Sequence, residues 1–494
     1  MIAGGDNGAR MSRAQFAIAV AAVCAIAAIR IAVTQHLFSP TYDEPLHVAS
    51  GHEYLSAHNY TNDRSHPPLA RIAFAFPLRH AVLTGSDGLD RVGQLYQSAG
   101  DYMRGVTLSR RGNLIFVILA IAGVALWAVQ LLGRTAAAIA AAIFSLLPPV
   151  LAHGALATTD MAGTAGFVLA MAAFQWWLGT PTWPRTALLA LAAGFGLVTK
   201  FSFPLFFAIG AVTLMVVSRK WPIAKGIVAF IGAFAVVDAV YFFGKLPLFF
   251  KGFRDLLDHN FRGHDAYFLG NVSGAGWLHY FPVLLAVKTP LPALVLAIAG
   301  GWMAWKTKRH RELVIIAALL LGSAMLSSLN LGVRHILPMY VPLSMLAALA
   351  IVTLWGSRAR WPIAALCAWL LINSALAHPD YLPWANALAG RHPEHVALDS
   401  NFDWGQDVVR LRDEVRRRGI TSLHASLFGT VDLRRIGLPP VAPIDAQRGG
   451  PGWYAISESI VLPAQVRDRS AYRWLTDSRD FVRVGKTIRL YQVQ

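Results

Sequence analysis

Apolar runs of about twenty residues recur along the first three-quarters of the chain, separated by short polar breaks. Each run matches the ~20 residues that carry an α-helix across a bilayer core. The pattern predicts eleven spanning helices, near 14–34, 113–132, 135–151, 159–178, 185–199, 203–218, 225–247, 286–305, 312–330, 335–354 and 361–377. The third, fifth and sixth are short or closely spaced. The first run, Ala14 to Thr34, follows Arg10 and Arg13. It lacks a small-residue cleavage site and is long enough to span, so it reads as a retained helix and not a signal peptide.

The short breaks carry the cations. With the N-terminus in the cytoplasm, alternation places Arg134, Arg185, Arg219, Lys220, Lys225, Lys306, Lys308, Arg309, Arg311, Arg358 and Arg360 on that same side. That is the distribution the positive-inside rule expects. The opposite side receives the long first loop (about 35–112), the junction from His153 to Asp160, a second large loop (about 248–285), the turn from Asn330 to His335, and everything from 378 onward.

Beyond 377 the pattern changes to that of a small soluble α/β domain, residues 378–494, set apart from a transmembrane domain of residues 1–377. Val396 to Asp399 reads as a strand. Gln406 to Arg418 carries Val408, Val409, Leu411 and Val415 at helical spacing, and Gly419 closes that helix. Strand-like runs follow at Leu423–Leu427, Trp453–Ile456 and Thr487–Val493.

Composition supports the membrane reading: 55% of the 494 residues are hydrophobic, only 14% are charged, and mean hydropathy is +0.47. A formal net charge of +17 raises the question of nucleic acid. Cytoplasmic loops and a tail able to face anionic headgroups account for the excess, so no nucleic-acid partner is expected. The two cysteines, Cys24 and Cys367, both lie inside apolar runs and support neither a disulfide framework nor a zinc motif.

Candidate chemistry gathers on the outer side. Asp43 and Glu44 stand just after the first span. Adjacent acids there are either a solvated helix start or a general base at the membrane surface, where a carboxylate takes the proton of an attacking hydroxyl. His66-Pro67-Pro68, with Arg71 a turn later, is either a loop-to-helix corner or part of a polar cavity frame. Glu44, His47, His52 and Glu53 have a spacing compatible with a divalent metal, but no further ligand is evident. His153 and Asp160 flank the junction between the third and fourth spans; Asp160 is either a helix-capping acid or a functional ionisable group. Lys200, Lys288 and Arg334, the last followed by His335, put cations at the outer surface, where the positive-inside rule does not. They either snorkel or clamp a phosphate. In the tail, Asp399, Asp403, Trp404 and Asp407 either reach the same site or form a strand end and helix cap.

The order of these motifs resembles the GT-C superfamily of membrane glycosyltransferases, over nearly the whole chain. Within it the resemblance is to bacterial family 39-type, phospholipid-carrier-dependent enzymes, kin to protein O-mannosyltransferases and the lipid A aminoarabinose transferase. His378-Pro379-Asp380-Tyr381-Leu382-Pro383 and the stretch from Asp399 to Asp407 also look like segments of such proteins. The resemblance implies a multi-pass protein of the bacterial inner membrane with an extracytoplasmic site. It implies a polyprenyl-phosphate sugar as donor and an inverting single displacement onto an acceptor hydroxyl. Asp43 matches the base position, Glu44 its support and Asp160 the second acid, as catalytic residues; His66, Arg71, His153, Lys200, Lys288, Arg334 and His335 are the candidate substrate-binding residues. No cofactor is implied with certainty; family members differ in metal dependence, which leaves a divalent metal open. The acceptor is a lipid, a glycan or a protein, and the lack of a β-trefoil-type insertion argues against protein. The rival class is a transporter or flippase of lipid-linked sugars, which would place ionisable residues at mid-membrane. Apart from Asp238 the span interiors are almost bare of charge.

Overall fold

A computed structural model of the protein describes residues 11–83, 88–478 and 480–494. Arg10, one of the two cations ahead of the first span, lies outside the described residues. Apolar helices occupy the predicted runs: Arg13–Ala32, Leu114–Leu132, Arg134–Leu146, Thr159–Gly179, Trp183–Leu197, Phe203–Ser218, Ile223–Val240, Leu291–Thr307, Arg311–Met325, Tyr340–Leu354 and Arg360–Leu376. Five helical stretches among the described residues are long and apolar enough to cross a membrane alone, and up to seven if each of two bent pairs is one span. Arg134–Leu146 turns by 68° into Pro148–Gly154, and Tyr280–Lys288 turns by 114° into Leu291–Thr307. Both breaks fall at prolines, Pro148 and Pro290, which supply no backbone N–H to carry a helix through. The predicted spans 135–151 and 286–305 are therefore each broken, and Lys288 sits before its break instead of opening a continuous helix. The predicted span 225–247 likewise ends early, at Val240, before a separate helix Leu246–Arg262.

Thr159–Gly179 runs through the middle of the bundle, with 83% of its apolar window buried. Small residues let neighbours close on it: a Cβ at Gly166 would meet the Cα of Gly196 at 2.8 Å. By contrast Ile223–Val240 turns Ile227, Phe230 and Ile231 outward, an apolar face suited to lipid.

The central helix has 21 residues, so its ends stand roughly 30 Å apart. At one end Asp160 meets Lys200. At the other, Lys220 Nζ donates to the Gly179 carbonyl at 3.3 Å and Arg185 to Thr180 at 3.2 Å. Arg134, at the far end of the helix that begins beside Asn113, donates to Met11 at 3.2 Å. Arg134, Arg185 and Lys220, from three of the basic breaks, thus lie at the end of the bundle away from Asp160.

That second end is built up. The predicted loop 35–112 folds into helices Glu44–Ala57, Pro68–Ala75, Gly88–Gln97 and Tyr102–Arg111. The first two pack backbone to backbone at Gly51, where a Cβ would stand 2.0 Å from the Arg71 carbonyl oxygen. The loop 248–285 contains Leu246–Arg262, an antiparallel hairpin of β1 (Ala266–Phe268) and β2 (Asn271–Ser273), and Tyr280–Lys288.

The C-terminal part is a small sheet domain. Strands β3 (Leu423–Ser426), β4 (Val441–Ala442), β5 (Gly452–Ser457), β6 (Phe481–Val484) and β7 (Ile488–Val493) align in the order β4-β3-β5-β7-β6. β3 is parallel to β4 and β5, and β7 is antiparallel to β5 and β6. Helix Val408–Arg417 covers one face, burying Val408, Leu411 and Val415 against Leu423, Ala455 and Leu490. Tyr454, Ile456 and Tyr491 pack on the other face against Leu398, Phe402 and Val461. Val396–Asp399, expected as a strand, joins no sheet. It runs between two 3-10 turns, and Ala397 makes only a single bridge to Phe268. Four strands escaped the sequence reading: β1 and β2 of the hairpin, and in this domain the two-residue β4 and β6.

Candidate functional site

The first loop is anchored by Glu44. Its carboxylate accepts from Arg110 Nε at 2.8 Å and Nη2 at 2.7 Å, and from the backbone N–H groups of Ala157 (2.8 Å) and Thr41 (2.7 Å). Arg110 spends its remaining donors on the carbonyls of Gln35, Phe38 and Ser39. Burial pushes the Glu44 carboxyl up, but the Arg110 guanidinium and the N–H donors outweigh it and hold the group below its usual range. Glu44, next in sequence to Asp43, therefore points into protein and ties the end of the first span to the 153–160 junction.

Asp43 points the other way, into a cavity of about 460 Å³. Asp43 Oδ2 accepts from Arg334 Nη1 at 2.8 Å, and Asp160 Oδ2 lies 4.0 Å from the same nitrogen. Asp160 Oδ1 accepts from Lys200 Nζ at 2.5 Å. The result is an alternating row, Asp43–Arg334–Asp160–Lys200, drawn from four distant parts of the chain. Arg334 is held from below by the ring of Trp404, 4.4 Å from its centroid. Gly332, two residues earlier, has φ +142, and a Cβ there would meet Ser400 Oγ at 2.2 Å. The turn that presents Arg334 thus needs glycine.

Two imidazoles complete this wall. His47 and His66 meet edge to face at 5.1 Å, and His66 Nδ1 lies 3.2 Å from Thr159 Oγ1. Burial, then Arg71 for His47 and His47 with Arg71 for His66, pushes both well below the ordinary imidazole value. Both rings are neutral at pH 7, leaving Lys200 and Arg334 as the cations of the row. Opposite stand Tyr42, Tyr267, His264 and Asp399, the last in a left-handed conformation at φ +55. Burial raises the Asp399 carboxyl against the pull of Arg334.

Of the residues singled out in the sequence, Asp43, His66, Lys200, Arg334 and His335 line the cavity, and Asp160 lies directly beneath it. Glu44, Arg71, His153 and Lys288 do not line it. Arg71 pairs with Asp63 and donates to His47 Nδ1 at 3.0 Å and to Tyr60. His153 packs against Trp404, ring to ring at 6.3 Å. Lys288 gives its ammonium to the carbonyls of Leu382, Trp384 and Asn401. A buried ammonium satisfied by three carbonyls fixes the tail instead of meeting a ligand. Nor do Glu44, His47, His52 and Glu53 converge on a metal: Arg110, Arg71, Ala81 and the Thr61–Asn62 turn already take them.

The tail residues divide as well. Asp399 and Trp404 line the cavity, whereas Asp403 and Asp407 are buried inside the tail. Asp407 accepts from Lys486, Thr487 and Arg410. Asp403 accepts from Ser459 at 2.9 Å and Gly405 at 3.3 Å, and burial pushes its carboxyl up to about 7. The folded protein keeps this proton up to neutrality while the unfolded chain releases it near 3.8, so stability is lost as pH rises from about 4 through 7. Thermal unfolding of Asp403→Asn is expected to lack this component, worth about 4 kcal/mol at pH 8. Its melting temperature should approach or pass wild type at pH 8 and fall behind at pH 5.

Asp399 and Trp404 were legible only as a cluster with two readings. Tyr42, His264 and Tyr267 carried no signal at all, because aromatic and histidine residues in polar loops have no spacing to betray them.

A second, apolar cavity of about 280 Å³ opens beside the first. Phe201, Leu205, Phe206, Phe253 and Leu257 line it, and His66, Lys200, Leu256, Leu329 and His335 are shared with the polar cavity.

The sequence model for dolichyl-phosphate-mannose-protein mannosyltransferase matches residues 25–244. No curated protein matches the chain by sequence. Among solved structures, the chain is similar to ArnT from Cupriavidus metallidurans bound to undecaprenyl phosphate, with 14% identity, TM-score 0.52, and coverage of 95% of this chain and 97% of that one. The apo state of ArnT gives TM-score 0.53 with the same identity and coverage. The archaeal oligosaccharyltransferase AglB from Archaeoglobus fulgidus, in complex with an inhibitory peptide and a dolichol-phosphate, follows at 11% identity and TM-score 0.48, with 96% of this chain and 74% of that one covered.

Proposed function

We propose that this chain is a multi-pass membrane glycosyltransferase of the GT-C superfamily, a reading supported by the family model over residues 25–244 and by the fold shared with ArnT, and that it transfers a sugar from a polyprenyl-phosphate carrier to an acceptor hydroxyl on the outer face of a bacterial inner membrane. The observation that carries the reading is one of adjacency. A carboxylate, Asp43, and two cations, Lys200 and Arg334, face one polar cavity, and Lys200 also borders the apolar one. A lipid-linked sugar has this same division: an apolar chain, an anionic joint and a polar head. The chain lies along Phe201, Phe206 and Phe253, the phosphate meets Lys200 and Arg334, and the sugar enters the space bounded by Asp43, Tyr42 and Asp399.

In the transfer, Asp43 takes the acceptor hydroxyl proton as its oxygen attacks the anomeric carbon. The new C–O bond forms as the anomeric C–O bond to phosphate breaks, in one displacement that inverts configuration. Both electrons of that bond leave with polyprenyl phosphate, whose added charge falls on Arg334 and Lys200. Asp160 keeps both cations in place. In the resting chain Arg334 is bound to Asp43, so an arriving phosphate competes for the guanidinium and frees the carboxylate to act as base. The C-terminal sheet domain closes the cavity through Trp404 and Asp399. The outward orientation is supported by the positive-inside rule, with Arg134, Arg185 and Lys220 at the end of the bundle away from the cavity.

Incubating the purified protein with a panel of polyprenyl-phosphate sugars and envelope acceptors is expected to release polyprenyl phosphate from one of them. No release from any donor, with the protein folded, would remove the reading. Arg334→Lys keeps the charge but gives up the planar fork and the stack on Trp404. It is expected to raise the donor KM and lower kcat together, each by about 10-fold or more; wild-type constants would place the phosphate elsewhere.

A further inference from the structure

The segment Arg391–Val396 carries a cluster that the cavity does not use. His392, Glu394 and His395 lie around a 3-10 turn, Pro393–His395, and each offers a ligand atom within 4.8 Å of the other two. A 3-10 turn has three residues per turn, so positions 392 and 395 stack on one side. Their rings stand 5.8 Å apart, centre to centre. We propose that His392, Glu394 and His395 bind a divalent transition-metal ion of the zinc type, as a structural clasp on the outer face of the protein.

Three observations argue for a site over a chance grouping. The first is spacing. His392 Nδ1 lies 3.3 Å from Glu394 Oε1. Two ligands at 2.0–2.1 Å from a tetrahedral ion stand roughly 3.3 Å apart, so this pair already has the bite of a shared metal. The second is support. The His395 ring is held by the Tyr267 hydroxyl, 3.3 Å from Nδ1, and Glu394 is buried and held by Arg483 Nη2 at 3.4 Å. Ligands oriented by partners of their own are a mark of metal sites. The third is ligand type. Two imidazoles and one carboxylate suit a borderline ion, and the exposure of both histidines leaves open positions for water. Arg483 opposes a cation here. It shares Glu458 with Arg489, which holds both oxygens of that carboxylate at 2.8 Å, and its contact with Glu394 is the longest it makes, so a bound ion has to displace it from Glu394.

The clasp has a place in the fold. Tyr267 belongs to β1, and Val396 and Ala397 bond to Leu269 and Phe268 of the same hairpin. Two residues further on, Asp399 enters the cavity. An ion on His392, Glu394 and His395 would fasten the short stretch that leads to Asp399, without touching the cavity.

The test uses full-length protein in detergent, purified without a histidine tag and stripped with a chelator. Titration with Zn2+ is expected to show one tight site per chain and a rise in melting temperature, as any ligand of the folded state produces. His392→Ala/His395→Ala should lose both signals, and Glu394→Gln should weaken binding at least 10-fold. His80→Ala, an exposed histidine elsewhere, should keep both. Equal zinc binding by wild type and the double histidine variant, or none by wild type, would overturn the site. Neither outcome bears on sugar transfer.

Discussion

Asp43→Asn is expected to slow sugar transfer by about 10²–10⁴-fold, the range contributed by a positioned general base, with little change in folding. Asn keeps the shape and one acceptor oxygen for Arg334 but does not take a proton at neutral pH. The Asp43 carboxylate is 27% exposed, and Asp160 at 4.0 Å and the ring of Trp404 stay beside Arg334 in the variant, so the guanidinium is not left without a partner. Expression and melting temperature should therefore stay near wild type while release of polyprenyl phosphate collapses. The informative comparison is turnover at saturating donor, since a loss confined to KM would point to binding. A variant that turns over at the wild-type rate would end the assignment of Asp43 as base. Asp43→Glu, which restores the carboxylate one methylene further out, should recover part of the rate.

Arg110→Ala is expected to act in the opposite sense, on folding first. Five hydrogen bonds leave its guanidinium, two to Glu44 and three to the carbonyls of Gln35, Phe38 and Ser39. Removing it strands a fully buried carboxylate. Breaking a buried pair from one side costs about 3–5 kcal/mol, enough to cut the yield of folded protein severely. Thermal unfolding in detergent should show a large drop in melting temperature, or no folded protein at all. Glu44→Gln keeps the volume and part of the bonding and should be milder. With whatever folds, turnover per folded molecule is expected to stay within about tenfold of wild type, because Glu44 does not face the cavity. A stable Glu44→Gln protein with no turnover would return Glu44 to the chemistry.

Such a contrast between neighbours explains what the chain disclosed in advance and what it withheld. The apolar runs were legible because a bilayer demands length and composition of every helix, whatever its neighbours. Asp43, Lys200 and Arg334 stood out because a charge at the outer end of an apolar run is costly without a purpose. Direction was not legible. Asp43 and Glu44 are adjacent and chemically alike, and a turn of helix sends one to the cavity and the other to Arg110. Lys288 resembled Lys200 in its setting, yet three carbonyls of the tail consume it. No spacing along the chain encodes a partner a hundred residues away. Proline breaks at 148 and 290 were visible as residues, but the angles they impose depend on packing. In the tail, Val408, Val409, Leu411 and Val415 announced a helix through periodicity, whereas Val396–Asp399 had the composition of a strand but is hemmed in by two 3-10 turns and makes a single bridge to Phe268.

Lys288, Val333 and Ser39 fasten residues 400–408 to parts of the chain that were made long before. The wall behind Arg334 is Trp404, and the acid facing Asp43 is Asp399. A nascent polypeptide that has threaded every apolar helix is therefore still an open bowl, with Arg334 unshielded. The cavity closes only once the segment that carries Asp399 and Trp404 has been made and has folded back onto Ser39, Lys288 and Val333. Synthesis order thus acts as a safeguard: a half-made molecule carries Asp43 and Arg334 without the wall that encloses them.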